Sequence, residues 1–251
     1  MNSYKVALIT GATGGIGSAI AHNLVANGMK VILSGRNNAK LNKLSSELGD
    51  SVVYCEALDL SDYEAMKTFV YNIKEKDIKV DTLINNAGLA LDLVPFQEYN
   101  PNDIITMLDT NVKAVALLSN LLLPSMVTNN HGIIINIGSI AGQYAYPNGS
   151  VYCASKAAIE TLSDGIRVDV MASDVKVTNI MPGLVETDFS LIRFKGDKAK
   201  ADKVYQGIEA LQPEDVADAV WFVINQPRRV QIGELSLLAN QQGNGFINYK
   251  K

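Results

Sequence analysis

The sequence predicts an α/β protein built on a parallel sheet with helices on both faces, and three observations lead to this fold class. Short runs rich in β-branched residues alternate with longer amphipathic stretches along the chain, which is typical of βαβ units. Residues 133–137, Ile-Ile-Ile-Asn-Ile, are apolar without alternation, as expected of a strand covered on both faces. A length of 251 residues with 47% hydrophobic content fits one domain over residues 1–251 better than two small ones.

The elements of the first half follow as strand and helix pairs. The first β-branched run leads through a glycine-rich turn into an amphipathic stretch, and two similar pairs follow before a fourth strand. The predicted strands are residues 6–10, 30–33, 52–57 and 82–85, and the predicted helices are residues 15–26, 39–48 and 63–74.

The second half continues the alternation and adds one exception. A polar, charged stretch from about residue 189 to residue 210 separates the sixth strand from the next helix, and we expect it to pass over the sheet as a substrate lid. The predicted strands are residues 133–137, 175–180 and 234–238, and the predicted helices are residues 102–127, 152–171 and 213–224.

Composition excludes several classes of protein. The net charge is −4 with a pI near 5.3, so nothing indicates nucleic-acid binding. Cys55 and Cys153 match no metal or redox spacing, and the two histidines are too few for a histidine-rich metal centre, so we expect no metal. We find no signal peptide and no apolar run of membrane-spanning length, and we expect a cytoplasmic protein with reduced thiols.

The most informative motif is Tyr152-Cys-Ala-Ser-Lys156, with Ser139 upstream. Lys156 lies one helical turn from Tyr152, so its charge would favour the phenolate and lower the Tyr152 pKa toward the working range. Ser139 could hold the substrate oxygen that exchanges the proton. In isolation each residue has a plainer interpretation, an exposed helical pair and a turn serine, but together they indicate proton transfer to or from an alcohol or carbonyl.

A glycine-rich turn follows the first predicted strand and opens the first helix. It runs Thr10-Gly-Ala-Thr-Gly-Gly-Ile-Gly17, and its glycines allow a tight turn and the close approach of a pyrophosphate to backbone N–H groups. The turn therefore predicts a dinucleotide site, with contacts from Gly11, Thr13, Gly14, Gly15, Ile16 and Gly17.

The end of the second strand predicts which dinucleotide binds. It reads Ser34-Gly35-Arg36-Asn37 and has no carboxylate for a ribose 2′-hydroxyl. Arg36 could instead meet a 2′-phosphate through charge-assisted bonds, with Asn37 beside it. We therefore expect NADP rather than NAD; the alternative is an exposed arginine at a strand end.

Two further strand ends are assigned to the cofactor. Asp59 and Leu60 follow the third strand and are placed to touch the adenine, although Asp59 could equally belong to a helix N-cap region with Ser61, and both could hold. Asn86, Ala87 and Gly88 follow the fourth strand, where small residues let backbone run close to the ribose; two asparagines could also make a simple turn.

With these motifs in this order, the chain resembles the short-chain dehydrogenase/reductase family over essentially its whole length. The resemblance implies a single Rossmann-type domain with a seven-stranded sheet, and hydride transfer with a nicotinamide cofactor. It implies that Tyr152 donates or accepts the proton, that Lys156 also binds the nicotinamide ribose, that Ser139 holds the carbonyl, and that Asn111 positions a water. For Asn111 a plain structural role inside a helix is the alternative. The implied nicotinamide contacts are Pro182, Gly183, Val185 and Thr187.

The resemblance extends to the branch of NADP-dependent serine and 3-hydroxy acid dehydrogenases. Stretches at residues 86–91, 142–147, 193–197 and 212–221 look like that branch, and the last strand lacks the Asp-Gly-Gly ending of the wider family. Members of the branch oxidise serine, allo-threonine and small 3-hydroxy acids and are typically homotetramers. The candidate substrate contacts are Ser139, Tyr152, Asp92, Gln143, Tyr146 and Arg193.

We therefore predict a cytoplasmic, homotetrameric NADP-dependent oxidoreductase acting on small 3-hydroxy acids or ketones. Arg193 could form a forked pair with a substrate carboxylate, or instead pair at the surface or between subunits. A broad carbonyl or diketone reductase, a 3-oxoacyl-carrier reductase and a non-catalytic dinucleotide sensor are the alternatives. The overall acidity argues mildly against an acidic carrier protein as partner.

Overall fold

The described residues form one seven-stranded parallel sheet in the order β3-β2-β1-β4-β5-β6-β7. A computed structural model describes residues 4–245 and 247–250. The sheet confirms the predicted fold class, and every predicted strand is present with bounds shifted by at most two residues. The strands are β1 Val6–Ile9, β2 Lys30–Gly35, β3 Val52–Ala57, β4 Thr82–Asn85, β5 Gly132–Ile137, β6 Val175–Pro182 and β7 Glu234–Leu237.

Helices cover both faces of this sheet, as the unalternating strands predict. In β5, Ile133 and Ile135 pack into one core cluster and Ile134 into the other. The first cluster includes side chains of α1, α2 and α9, and the second includes side chains of α3 and α5. The helices are α1 Gly15–Ala26, α2 Asn38–Leu48, α3 Tyr63–Glu75, α4 Pro101–Leu108, α5 Ala114–Thr128, α6 Ser150–Asp169, α7 Phe189–Arg193, α8 Lys198–Tyr205 and α9 Pro213–Ile224.

The long helix predicted at residues 102–127 is two helices joined by a π-helical turn, Asp109–Lys113. Because this turn makes the run Pro101–Thr128 continuous, its length and composition alone would suffice to cross a membrane, contrary to our expectation that no apolar run reaches that length. Its inner side chains Leu118, Leu122 and Met126 are buried in the second core cluster, which is the environment of a core helix.

The polar segment after β6 contains the short helices α7 and α8. It leaves the sheet beyond Pro182 and returns at Leu211, where Val185 and Leu211 form an isolated parallel bridge. The backbone of Leu211 donates to the Leu184 carbonyl at 2.9 Å, and that of Glu186 to the Leu211 carbonyl at 2.8 Å. The segment is therefore closed at its base and lies at the carboxyl end of the strands.

Candidate active site

A cleft of about 740 Å³ lies at the carboxyl end of the sheet, between the loops after β1, β2, β3, β4, β5 and β6. There the strand order reverses, because β1 lies between β2 and β4 while α1 and α5 cover opposite faces. A switch point of this kind is the usual ligand site in open α/β sheets.

The glycine-rich turn forms one end of the cleft and requires its glycines. Gly11 has φ +61°, and a Cβ at Gly17 would overlap the Gly11 carbonyl oxygen. Asn86 supports the turn, because its Nδ2 donates to the carbonyls of Thr10 at 2.9 Å and Gly11 at 3.1 Å. Within the described residues, no side chain caps the α1 N-terminus at Gly14, which leaves its N–H groups available to an anion.

Two cationic side chains line the cleft beyond β2. Arg36 lies at the strand end, and Lys40 follows it in the first turn of α2. Asn37 is the N-cap of that helix, since its Oδ1 accepts from the Lys40 backbone at 2.9 Å. A Cβ at Gly35 would lie 3.2 Å from Thr13 Oγ1, so glycine keeps this wall of the cleft close to the glycine turn.

Asp59 lies on the cleft wall and also closes a turn. Its Oδ1 accepts from the Ser61 backbone at 2.9 Å and from the Ser61 hydroxyl at 2.8 Å. These hydrogen bonds, with the charge of Arg36, lower the pKa of the Asp59 carboxyl. The N-cap of α3 is Asp62, whose carboxylate accepts from the Ala65 backbone, so Asp59 is outside the helix cap considered from sequence.

Ser139, Tyr152 and Lys156 meet at the other end of the cleft. Ser139 follows β5 and caps a short 3-10 turn, accepting from the Ala141 backbone at 3.1 Å. Tyr152 and Lys156 are on the first turns of α6, and both are buried. The Lys156 ammonium donates to the Ile137 carbonyl at 2.8 Å and lies 5.9 Å from the centre of the Tyr152 ring. Burial lowers the Lys156 pKa to about 8.

The Tyr152 pKa is raised rather than lowered, which differs from the sequence expectation. Burial is the largest cause, because it penalises the phenolate. The nearby Arg193 guanidinium and a hydrogen bond from Ser139 act in the opposite direction. Arg193 is therefore the strongest cationic influence on the tyrosine in this structure, a role that the helical spacing had assigned to Lys156.

Arg193, at the end of α7, extends into the cleft among aromatic rings. Its Nη2 donates to the Tyr146 hydroxyl at 3.0 Å. Its guanidinium carbon lies 5.2 Å from the centre of the Tyr152 ring and 5.0 Å from that of Phe189. The Arg193 Nε is buried and has no partner among the described residues. The site thus presents a cation with an unused N–H beside Tyr152.

Asn111 lies in the π-helical turn, and its side chain makes three hydrogen bonds to protein groups. Its Oδ1 accepts from the Leu89 backbone at 2.9 Å, and its Nδ2 donates to the Leu89 carbonyl at 2.8 Å and to Ser155 Oγ at 3.0 Å. The side chain thereby ties the loop after β4 to α6, next to Lys156.

The structure places nearly every predicted cofactor and substrate residue on the cleft wall. The exceptions are Gln143, which is exposed at the end of the 3-10 turn, and Asp92, which pairs with Lys195 at 3.7 Å outside the wall. The predicted residues on the wall are Gly11, Thr13, Gly14, Gly15, Ile16, Gly17, Arg36, Asn37, Asp59, Leu60, Asn86, Ala87, Gly88, Ser139, Tyr146, Tyr152, Lys156, Pro182, Gly183, Val185, Thr187 and Arg193.

Among the cleft-wall residues that sequence reasoning missed, three bear on the proposals below: Lys40, Phe189 and Gln242. Lys40 could have been found from its position four residues after Arg36, since a strand end followed by a helix places both near the same phosphate. Phe189 and Gln242 carry no motif. Their positions depend on how the segments after β6 and β7 fold back over the cleft.

The residues present fit a dinucleotide. The glycine turn admits close backbone approach, the α1 N-terminus offers N–H groups, and the cations of Arg36 and Lys40 lie where β2 ends. Gly15 also contacts the opposite wall, since a Cβ there would lie 2.9 Å from Thr187. Among residues 4–245 and 247–250, no group of three potential metal ligands is found.

Fold and site together define a dinucleotide-binding α/β oxidoreductase with a serine, tyrosine and lysine centre. The model of the short chain dehydrogenase family matches residues 5–196, and the chain belongs to this family. The NADP-dependent 3-hydroxy acid dehydrogenase YdfG of Escherichia coli K12 is 42% identical over 97% of this chain and 98% of that protein.

Two other proteins bear on the site. Sulfoacetaldehyde reductase 2 of Chromohalobacter salexigens is 38% identical over 94% of this chain and 95% of that protein. The solved closed form of serine dehydrogenase complexed with NADP+ is 42% identical, covers 98% of this chain and 99% of that chain, and superposes with a TM-score of 0.93.

Proposed function

We propose that this protein is an NADP-dependent oxidoreductase that reversibly converts a small 3-hydroxy acid, such as serine or allo-threonine, into the corresponding oxo acid. The observation that carries the proposal is the Arg193 guanidinium, 5.2 Å from the Tyr152 ring with its Nε unpartnered among the described residues. A forked cation beside the proton-transfer group suits a substrate whose alcohol lies a few bonds from a carboxylate. The names of the similar dehydrogenases support the same substrate class.

The chemistry assigned to the chain is proton transfer and charge stabilisation. When bound, the nicotinamide cofactor accepts or supplies the hydride. In the oxidation direction Tyr152 as phenolate takes the alcohol proton, and Ser139 donates a hydrogen bond to the same oxygen. Arg193 stabilises the phenolate by charge. Lys156, held at the Ile137 carbonyl, adds an ammonium group 5.9 Å from the centre of the Tyr152 ring. Burial of the tyrosine keeps water from competing for the proton.

The proposed nucleotide contacts divide by chemistry. The pyrophosphate would take the N–H groups of the glycine turn, and Arg36 with Lys40 would take the 2′-phosphate that distinguishes NADP. The adenine would lie against Asp59 and Leu60, and the nicotinamide against Pro182, Gly183, Val185 and Thr187, where Lys156 also reaches the ribose.

A paired substrate panel tests the carboxylate role. With NADP+, serine, allo-threonine, 3-hydroxyisobutyrate and 3-hydroxypropionate would be compared with their neutral methyl esters, and sulfoacetaldehyde, ketones and diketones would be run in reverse. Because a charge-assisted pair contributes about 1.5–3 kcal/mol, Arg193→Gln should lower kcat/KM for the acids by about 10- to 100-fold. It should lower kcat/KM for the esters by less, because the esters lose only the effect of the Arg193 charge on Tyr152.

Losses of equal size for acids and esters would contradict carboxylate recognition by Arg193 and leave only its effect on Tyr152. Activity confined to neutral ketones would favour the general carbonyl reductase instead. Lys195→Gln is the matched control, since Lys195 is exposed and pairs with Asp103 at 2.7 Å.

We also propose a homotetramer, the usual assembly of the related branch. Exposed apolar side chains on several elements support it: Ile105 of α4, Val168 at the end of α6, Phe222 of α9 and Leu238 after β7. Two separate self-contacting surfaces are what a tetramer with two-fold axes requires. Sedimentation should give four chains for the wild type and fewer for Phe222→Glu or Val168→Glu; a monomeric wild type would contradict the assembly.

Residues 189–210 form, in this proposal, a lid over the substrate, since Phe189 and Arg193 line the cleft from above. Excluding water from the reacting groups is the usual task of such a segment. The proposed location is the cytoplasm, in keeping with the two free cysteines, Cys55 and Cys153.

A further inference from the structure

The lid of residues 189–210 is attached to the sheet by a narrow neck of two limbs. The outgoing limb is residues 183–186, which the proposal above places against the nicotinamide, and the return limb is residues 207–211. Two backbone bonds join the limbs: Leu211 N–H donates to the Leu184 carbonyl and Glu186 N–H to the Leu211 carbonyl. The same neck therefore positions both the lid and the backbone proposed to contact the nicotinamide.

Gln242, after β7, contacts the outgoing limb. Its side chain is 6% exposed, and its Oε1 accepts from the Leu184 backbone at 3.0 Å. A Cβ at Gly183 would overlap this oxygen, and Gly183 N–H itself donates to the Leu237 carbonyl at 2.7 Å. Gln242 thus continues the pairing of this limb with β7, at a point where the strand ladder has ended.

Gln241, the preceding residue, contacts the return limb. Its Oε1 accepts from the Glu209 backbone at 2.7 Å, and its Nε2 donates to the Gly207 carbonyl at 3.3 Å. Gly207 has φ +76°, a conformation that glycine adopts without strain and that suits a hinge. The amide of Gln241 therefore bridges both sides of the turn through which the lid rejoins the sheet.

We infer that Gln241 and Gln242 are positioning residues that clamp the two limbs of the lid neck from the C-terminal segment. Gln242 sets the backbone that faces the nicotinamide, and so governs the geometry of the chemical step. Gln241 holds the return limb, and so governs how long the lid stays closed over the substrate. The inference rests on the proposed nicotinamide contact of residues 182–187 and on the proposed lid.

Three substitutions and a control test the clamp. Gln241→Met and Gln242→Met keep the length of the side chain and remove its hydrogen-bonding amide, whereas Gln242→Glu keeps an acceptor for the Leu184 N–H. Gln226→Met is the matched control, because the Gln226 amide donates only locally, to the Phe222 carbonyl at 2.8 Å, among the described contacts. A cooperative thermal unfolding transition establishes that each variant is folded.

Two measurements distinguish the effect of Gln242 on the outgoing limb from that of Gln241 on the return limb. One is the split between kcat and KM for the best substrate of the panel. The other, which needs no substrate, is the rate of tryptic cleavage in the lid, with and without saturating NADP+. The lid offers trypsin five sites: Arg193, Lys195, Lys198, Lys200 and Lys203.

Gln242→Met should lower kcat by about tenfold or more with KM changed by less than about threefold, the pattern of a defect confined to the chemical step. Gln242→Glu should recover most of that loss. Gln241→Met should instead raise KM and speed lid cleavage by about tenfold, because a weakened neck raises the population of the open lid. The Gln226→Met control should match the wild type in both readouts.

The clamp is overturned if both methionine variants keep wild-type kinetics and wild-type cleavage rates. It is equally overturned if Gln226→Met shows losses of the same size, since the effect would then be general. Should Gln242→Met fail to fold, Gln241→Met and Gln242→Glu still decide the matter. Wild-type protein inactive on every 3-hydroxy acid would contradict the proposed function, while the cleavage assay would continue to test the clamp.

Discussion

At the residue scale, the proposed proton-transfer centre is governed by the cost of burying charge. Tyr152 and Lys156 are both buried, so the tyrosine pKa is raised and the lysine pKa is lowered to about 8. Each shift favours the neutral form of its group. The Arg193 guanidinium beside the Tyr152 ring offsets part of the burial cost.

Removing the phenolic hydroxyl should abolish proton transfer and leave the fold intact. We expect Tyr152→Phe to lower kcat by about 10²- to 10⁴-fold, the usual contribution of a general acid or base. Absorbance of NADPH measures the rate, and Tyr144→Phe, at an exposed tyrosine, serves as control. Turnover in Tyr152→Phe at the wild-type rate would refute the mechanism.

Arg36 should decide the choice between the two dinucleotides. Loss of a charge-assisted bond to the 2′-phosphate costs about 1.5–3 kcal/mol, so Arg36→Asp should raise KM for NADP+ about 10- to 100-fold. KM for NAD+ should stay level or fall, because the carboxylate could accept from a ribose 2′-hydroxyl.

Initial rates with the two cofactors measure this preference. Lys43→Asp, at an exposed lysine of α2, controls for a general change of charge on that helix. A preference ratio unmoved by Arg36→Asp would place the 2′-phosphate elsewhere.

At the element scale, the π-helical turn between α4 and α5 serves to seat Asn111. The wider turn carries a polar side chain, 1% exposed, to the loop after β4 and to Ser155 of α6. Such single π-turns are frequent at functional sites. The polar groups that Asn111 satisfies include both backbone groups of Leu89, which would otherwise be buried without partners.

Asn111→Ala should therefore destabilise the protein as well as slow it. Leaving buried polar groups unpaired costs about 1–3 kcal/mol each, and we expect a loss of about 2–4 kcal/mol in the free energy of unfolding. Urea unfolding measures the loss, and Asn42→Ala, an exposed position on α2, should shift it by less than about 0.5 kcal/mol. An unaltered unfolding midpoint would show that the Asn111 contacts contribute nothing to the free energy of unfolding.

At the scale of the whole molecule, burial of Lys156 makes stability depend on pH. Its pKa is about 8 in the folded chain against an ordinary value of 10.5. Between these values the unfolded chain binds more protons, so the Lys156 contribution to stability rises with pH. Below pH 8 Lys156 is protonated in both the folded and the unfolded chain, so the folded chain bears the full cost of burying its charge.

The difference in unfolding free energy between the wild type and Lys156→Met should therefore grow in favour of the wild type from about pH 8 to about pH 10.5, by up to about 3 kcal/mol. Denaturant titrations across this range measure it. Lys43→Met, at an exposed lysine, is the control for the loss of a lysine side chain. If the difference between the wild type and Lys156→Met does not change with pH, Lys156 of the folded wild type does not lose its proton below the ordinary lysine range.

The order and type of the elements, the glycine turn and the pairing of Tyr152 with Lys156 could be predicted from sequence, because these features depend on neighbours close along the chain. Periodicity identifies strands and helices, and a spacing of four residues fixes which side chains share a helical face. Strand ends were less certain: β6 runs to Pro182 rather than residue 180, since its last residues pair with Ser236 and Leu237 of β7.

Only the tertiary structure decided the features that join distant segments. Arg193 meets Tyr152 because α7 folds back over the sheet, and Gln241 and Gln242 meet the lid neck because the chain turns after β7. The direction of the Tyr152 pKa also belongs here, since the sequence supplies the charges but burial sets their cost. The sequence by itself determined the chemistry available to this protein; the packing of its last segments determined where that chemistry meets a substrate, because desolvation and contact across the chain depend on the whole fold.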